Sequence, residues 1–314
     1  MRLAYFSPLN PQPSGISDYS EELLPYLAAH AEIDLFVDGF RPSGPETTSQ
    51  FKWFDYQRDT SVLDRLHHYD AVVYHMGNDH RYHAGIFDTM RKQPGVVVFH
   101  DFALQDFFLG LARDRGDVEL YLAEVAACHG KGERIRAEGH LLRGSVPPQV
   151  ATPLSFPLNC RAAMAAEGII VHSQWSRARF AEMAPGVPLA RIPMPVTGIH
   201  ADRVCQTGST VEDDNGQPRA VSIASFGLVT PDKGIELTLR TLARLSGEYD
   251  FQFTLVGAEN SYFNVRDIVR DCGLSDRVRI TGQVTLAEFE RYISETDIAI
   301  NLRQRTVGET SASL

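Results

Sequence analysis

The stretch Val96–His100, VVVFH, decides how the chain is built. It is β-branched, apolar and continuous, with none of the polar alternation of a strand that has one wet face. Such a run reads as a parallel strand covered on both sides. Four more runs share its character: LAYFS (3–7), IDLFV (33–37), AVVYH (71–75) and GIIVH (168–172). Helix-period segments fall between them, including Asp18–Ala29, Arg81–Lys92 and Gln174–Met183. Strand–helix alternation of this kind predicts a doubly wound α/β sheet. Residues 117–143 interrupt the rhythm as a long helical stretch, within an insertion of about 105–160.

A second series follows the polar stretch 198–218, GIHADRVCQTGSTVEDDNGQP, which has the composition of a linker or surface loop. Strands are expected at 219–225, 251–256, 277–281 and 297–301. Thr230-Pro231 supplies an N-cap residue and a first-position proline, predicting a helix from about Pro231 to Leu245. The expected architecture is α/β with two Rossmann-like domains, 1–197 and 198–314. About four strands fall short of a usual doubly wound complement, so the second domain reads as incomplete.

Composition narrows the partners. The 314 residues are 43% apolar and 22% charged, ordinary for a globular protein. A net charge of −10 argues against nucleic acid, whose phosphates need a basic face. No apolar run approaches the ~20 residues of a membrane span. The opening MRLAYF reads as a first strand and not a signal peptide. Cys128, Cys160, Cys205 and Cys272 lie far apart with no CxxC, so reduced thiols in a cytoplasmic protein are expected. Lys131, Arg134, Arg136 and Arg143 in the helical stretch could touch an anionic lipid surface, for instance the inner face of a cytoplasmic membrane, or form a solvated face.

Each half opens with a strand running into a glycine turn. In the first, SPLNPQPSGISDYS places Gly15 before a helix, where backbone can approach a ligand. It is not GxGxxG, which speaks against a dinucleotide dehydrogenase. In the second, SFGLVTPDKG (225–234) sets Lys233 beside a helix start, a pairing that would suit a diphosphate; a lone lysine there could equally be a solvated surface residue. His100-Asp101 ends the fourth strand, where ligands of open α/β sheets bind. His75, His80 and His83 lack the third ligand a metal site would need, and no Asp-x-Asp pair occurs to hold Mn²⁺ or Mg²⁺.

Together these residues resemble the family 4 (group 1) retaining glycosyltransferases of the GT-B fold. The resemblance runs nearly end to end through GISDYSEELLPYL, PGVVVFHDF, EGIIVHSQWS, SFGLVTPDKGIE, FTLVGAEN and LSDRVRITGQVTLAEFERYISETDIAINLR. It implies a nucleotide diphosphate sugar donor held mainly by the second domain and a glycan or glycolipid acceptor held mainly by the first. It implies transfer of a hexose with retention, typically in bacterial surface polysaccharide or glycolipid synthesis. No cofactor and no metal are implied, the nucleotide sugar being a co-substrate.

Residue by residue, Lys233 matches the lysine that grips the diphosphate, and His100 the histidine near the donor sugar. Gly15 matches the loop over the sugar phosphate, and Val284 the backbone that holds the base. Phe226, Gly227, Val256 and Gly257 fall in the same donor motifs. Where the family carries an arginine after Gly227 this chain has Leu228, for which Arg303 or Arg305 could compensate. Glu309 matches the first of the family's paired glutamates, and Thr310 and Ser311 would begin a helix facing the diphosphate. The second glutamate would fall beyond Leu314, so the chain reads as C-terminally truncated. Asp18, Tyr19, Asn78 and Asp101 are expected on the acceptor side. A fragment that binds sugar nucleotide or acceptor without turnover is the alternative reading.

Overall fold

The structure, a computed structural model, describes residues 1–194 and 219–310. The polar stretch at 198–218, with Cys205, and Ser311 lie outside the described residues. The described residues form two compact units, 1–194 with 307–310, and 219–306.

The first unit runs β1 (Arg2–Phe6), α1 (Gly15–Ala28), β2 (Glu32–Val37), α2 (Pro45–Gln50), β3 (Lys52–Asp55), β4 (Ala71–Met76), α3 (His80–Met90) and β5 (Val96–Phe99). It continues through α4 (Gln105–Asp114), α5 (Val118–Leu142), α6 (Cys160–Met164), β6 (Gly168–Val171), α7 (Gln174–Met183) and β7 (Leu189–Arg191). Its strands form one parallel sheet in the order β3-β2-β1-β4-β5-β6-β7. The continuous apolar runs follow from this burial. In β1, Leu3 and Tyr5 enter the core on one face while Ala4 and Phe6 enter the core on the other. The expected strands are all present. β3 and β7 are short edge strands of four and three residues with partly exposed side chains, too short to make a continuous apolar run that the sequence pattern would predict.

Helix α5 is two helical stretches joined at Gly130, whose φ of 83° no helix contains. The Nη2 of Arg134 donates to Glu119 at 2.9 Å. In one straight helix those residues would stand about 22 Å apart along the axis, so the chain folds back at Gly130. Arg134 is thus paired with Glu119, and Arg136 lies 3.7 Å from Glu133. Two of the four cations considered for a lipid face already have acidic neighbours. Among the described residues no helix is long and apolar enough to cross a membrane.

Cys128, at the end of the first stretch of α5, is disulfide-bonded to Cys160 at the start of α6. This corrects the expectation of reduced thiols throughout; Cys272 is free. The pair was hidden because 32 residues separate its members and only helix packing brings them together. Closing a loop of that length restricts the unfolded chain by roughly 3 to 4 kcal/mol. Cys128→Ser with Cys160→Ser should therefore lower the stability of the first unit by that amount in urea unfolding. Wild-type protein treated with dithiothreitol should match the double variant, which should itself ignore the reductant.

The second unit runs β8 (Val221–Phe226), α8 (Ile235–Leu245), β9 (Phe251–Val256), α9 (Val265–Asp271), β10 (Val278–Ile280), α10 (Leu286–Glu295) and β11 (Ile298–Ala299), in a parallel sheet ordered β10-β9-β8-β11. Buried Ile235, Thr238, Leu239 and Leu242 set the inner face of α8 at helical spacing. The helix expected from Pro231 is interrupted. A 3-10 turn, Pro231–Lys233, precedes Gly234 in the left-handed conformation (φ 64°), and α8 starts after it. Thr230 makes no side-chain cap. Thr310 lies in no helix.

Candidate functional site

In the first sheet the strand order reverses between β1 and β4, which opens a crevice at the carboxyl ends there. Three histidines reach this edge because three neighbouring strands each end in one: His75 on β4, His100 after β5 and His172 after β6. His75 Nδ1 and His100 Nε2 are 2.9 Å apart, and the His100 and His172 rings lie 4.9 Å centre to centre. Tyr19 of α1 closes the group, its ring centre 4.8 Å from His100, 5.2 Å from His172 and 5.8 Å from His75.

Hydrogen bonding assigns two of the tautomers. His83 Nδ1 faces the His75 carbonyl at 3.0 Å, and His172 Nδ1 faces the Ile192 carbonyl at 2.8 Å. A carbonyl can only accept, so both Nδ1 atoms carry the proton and both Nε2 atoms are acceptors. Nε2 of His75 and of His172 have no protein partner. Burial drives all these rings toward neutrality, pushing His75 down to about 3 and His83 down to about 4. His100 and His172 are lowered by the same cause, His100 further by its histidine neighbours. Neutral imidazoles carry no fixed charge for an anion, but they can exchange hydrogen bonds with hydroxyl groups.

Asp101 accepts from the Asn78 backbone N–H at 2.6 Å. Burial, with Glu309, Asp106 and Asp79 adding negative charge, pushes its carboxyl up to about 7. Glu309 reaches this neighbourhood because 307–310 run along the loop after β5. The Ala103 N–H donates to the Val307 carbonyl at 2.7 Å. Gly308 (φ 76°) fits against Phe102 and Trp175, where a Cβ would stand 2.5 Å from the Phe102 Cβ.

The remaining first-unit residues are placed as follows. Gly15 is the first residue of α1, capped by Ser14, whose hydroxyl accepts from Ile16 N–H. Asp18 sits in that helix's first turn, 3.4 Å from the Asn10 amide. The Asn78 side chain accepts from the N–H groups of Asp106 and Phe107, both at 3.1 Å, and donates to Asp106 Oδ2 at 2.9 Å. It therefore caps α4 from another segment, since Leu104 offers no side-chain cap. His80 pairs with Asp114 at 2.7 Å, away from His83. Among the described residues no cluster of His, Cys, Asp or Glu is disposed to hold a metal ion.

In the second unit the sheet order reverses at β8, and the turn after it is built by two glycines. Gly227 (φ 87°) donates to the Val256 carbonyl at 2.8 Å. Gly257 crosses directly over it: a Cβ on Gly257 would stand 2.2 Å from the Gly227 carbonyl oxygen. Lys233 folds over the turn, its Nζ donating to the Phe226 carbonyl. A Cβ on Gly227 would come within 2.6 Å of that Nζ. Phe226 is buried with its ring edge-on to Phe289, and Val284 packs beside it and Val256. Leu228 is 49% exposed. Arg303, just past β11, donates from Nη1 to the Leu302 carbonyl at 3.2 Å, and Arg305 is half-buried. The turn thus presents backbone and a cation together.

Because the contact at Gly257 is with backbone, no rotamer relieves it. Gly257→Ala should lower the stability of the second unit by about 1–3 kcal/mol and abolish any nucleotide-induced stabilisation. Calorimetry with and without UDP would read both effects.

Local pattern identifies His100 and Asp101 but not His172, and offers His75 and His83 only as candidate metal ligands. The signal was present: AVVYH, VVVFH and GIIVH are three strand runs that each end in histidine.

No known protein family matches the chain in a family scan, and no curated protein matches its sequence. Solved structures do match. A sucrose-phosphate synthase from Thermosynechococcus elongatus superposes with TM-score 0.56 at 14% identity, over 95% of this chain and 74% of that one. HepE of Anabaena, in complex with UDP and glucose, gives 0.54 at 14%, over 95% and 73%. WaaG, a glycosyltransferase involved in lipopolysaccharide biosynthesis, gives 0.56 at 14%, over 97% and 76%. At such identities the likeness establishes the fold, two parallel Rossmann-like α/β units of the GT-B class.

Proposed function

We propose that the protein is a retaining glycosyltransferase that moves a hexose from a nucleotide diphosphate sugar to a hydroxyl of a glycan or glycolipid. The observation that carries this reading is the β8 turn, where Gly227 and Gly257 bare the backbone and Lys233 sets its ammonium over them. Open backbone beside a cation is what a diphosphate needs, and it fits the donor role of Lys233 in the family this chain resembles.

In the proposed reaction the bond between the sugar C1 and the diphosphate oxygen breaks while a bond from C1 to the acceptor oxygen forms on the same face. The acceptor's proton passes to the departing diphosphate. Lys233 stabilises the charge growing on that leaving group, with Arg303 or Arg305 in place of the arginine that Leu228 replaces. Phe226, Val256 and Val284 shape the nucleoside side of the donor site. On the first unit, neutral His100 exchanges hydrogen bonds with sugar hydroxyls, and Tyr19, Asp18 and Asp101 meet the acceptor. The Asn78 amide acts by holding α4 and, through its backbone N–H, Asp101. Glu309 contacts the donor sugar. This chemistry calls on no metal or cofactor, and we place it in surface polysaccharide or glycolipid synthesis at the cytoplasmic face of a membrane.

A thermal-shift series with UDP-, GDP-, dTDP- and ADP-sugars, followed by donor turnover with the best of them, tests the proposal. UDP-glucose comes first, because the similar HepE was solved with UDP and glucose. Stabilisation by one donor together with release of its nucleotide diphosphate is expected. If a donor stabilises the protein and no turnover appears with any acceptor, the chain is a sugar-nucleotide-binding module. If no donor shifts the melting, the transferase and the sugar-nucleotide-binding readings both fail.

A further inference from the structure

Away from the strand ends, two neighbouring cavities of about 270 and 150 Å³ open where α3, α5 and α6 meet. Both share Arg91, Glu124 and Arg161 in their walls. Glu124 is 4% exposed, yet only one of its oxygens is engaged: Oε1 lies 3.4 Å from Arg161, while Oε2 has no partner. A buried carboxylate oxygen left unpaired is costly, and the empty volume beside it leaves room for the missing donor. Burial raises the Glu124 carboxyl while Arg161 and Arg91 oppose that rise.

The walls specify that donor. Phe87, Met90, Ala162 and Ala165 line the larger cavity with apolar surface. Asp117 and Glu119 border the smaller one, and Glu119 is already neutralised by Arg134. Two positive groups, Arg91 and Arg161, then face two negative ones, Glu124 and Asp117. A simple anion would meet Glu124, and a simple cation would meet both guanidinium groups. A molecule carrying both signs suits the set. At about 270 Å³ the larger cavity falls just below the ~300–1,000 Å³ usual for drug-sized ligands, so its occupant is small. The walls are also braced: Cys128 follows Glu124 by one helical turn, Cys160 precedes Arg161, and the two cysteines are bonded.

We propose that this cavity is a binding site for a small zwitterion, an α-amino acid with an apolar side chain. Its ammonium donates to Glu124 Oε2, its carboxylate meets Arg161 and Arg91, and its side chain enters the Phe87–Met90 end. The site is separate from the glycosyl-transfer reading and stands without it.

Isothermal titration of the intact, oxidised protein with L-leucine and L-methionine tests the assignment. One-to-one binding is expected, weakened roughly 10- to 100-fold by removing the ammonium (N-acetyl-leucine) or the carboxylate charge (leucinamide). Glu124→Gln should cause a comparable loss while retaining the wild-type fold by circular dichroism. Ala165→Leu, at an exposed wall position, should block the amino acid without touching the ion pair. The assignment is overturned if neither amino acid binds at millimolar concentration, which would make the cavity a hydrated ion-pair site. It is equally overturned if both derivatives bind as well as leucine, or if Glu124→Gln and Ala165→Leu leave leucine affinity unchanged.

Discussion

Between pH 6.5 and about 4 the first unit should lose the stability that its buried neutral histidines contribute, a loss the second unit does not share. His75, His83, His100 and His172 are all buried neutral, with folded values depressed below the ordinary 6.5. Below pH 6.5 the unfolded chain therefore binds more protons on these residues than the native state does. Stability is present above 6.5 and falls with pH until each folded value is passed, near 3 for His75 and 4 for His83. His75 and His83 each contribute a slope of up to about 1.4 kcal/mol per pH unit below 6.5, and His100 and His172 act in the same direction. Asp101 acts in the opposite sense. Its raised carboxyl favours the folded state below the ordinary carboxylate range, and that contribution is lost as pH rises toward about 7. Burial likewise raises the carboxyls of Asp18, Asp38 and Glu124, which act in the same sense as Asp101 and reduce the net slope. The second unit has no histidine among 219–310 and lacks this acid limb. Hydrogen exchange read by mass spectrometry at pH 7.5, 6 and 5 would separate the units. Equal loss of protection in both, beginning only near pH 4, would remove the argument.

Lys233→Ala should lower donor turnover roughly 100- to 1,000-fold, the usual effect of deleting one group that stabilises transition-state charge. Its ammonium sits over the glycine turn, and the exposed neighbour Leu228 brings no second charge there. The loss should fall on kcat more than on KM, because leaving-group charge develops only as the bond breaks. Lys233→Arg keeps the charge and should recover part of the rate. If the lysine merely buttressed the Phe226 carbonyl, the alanine variant would melt lower and the arginine variant would rescue nothing. A kcat within threefold of wild type in Lys233→Ala would refute the catalytic role.

Much of the fold was legible because a strand buried on both faces must be apolar at every position. The runs around Tyr5, Val73 and Val97 could hardly be anything else, and the buried stripe of α8 shows in its spacing. Edge strands β3 and β7 were not legible, since half-exposed residues carry no such constraint. Of the candidate site, Lys233, Gly227 and His100 could be named from local pattern. Gly257 belonged to a recognisable motif, but its reason, the Gly227 carbonyl 2.2 Å from where a side chain would begin, is a contact between two separate turns.

Sequence by itself determined the parallel α/β class, the two-part organisation and the glycine turns, because burial and backbone freedom are properties of local segments. Only tertiary structure decided which segments became neighbours. The order β1-β4-β5-β6 collects His75, His100 and His172 around Tyr19. The reversal at Gly130 and the packing of α5 on α6 join Cys128 to Cys160 and enclose Glu124 with Arg161. Each is a meeting of residues tens of positions apart. Hydrophobic periodicity records that a face is buried and carries no record of what buries it.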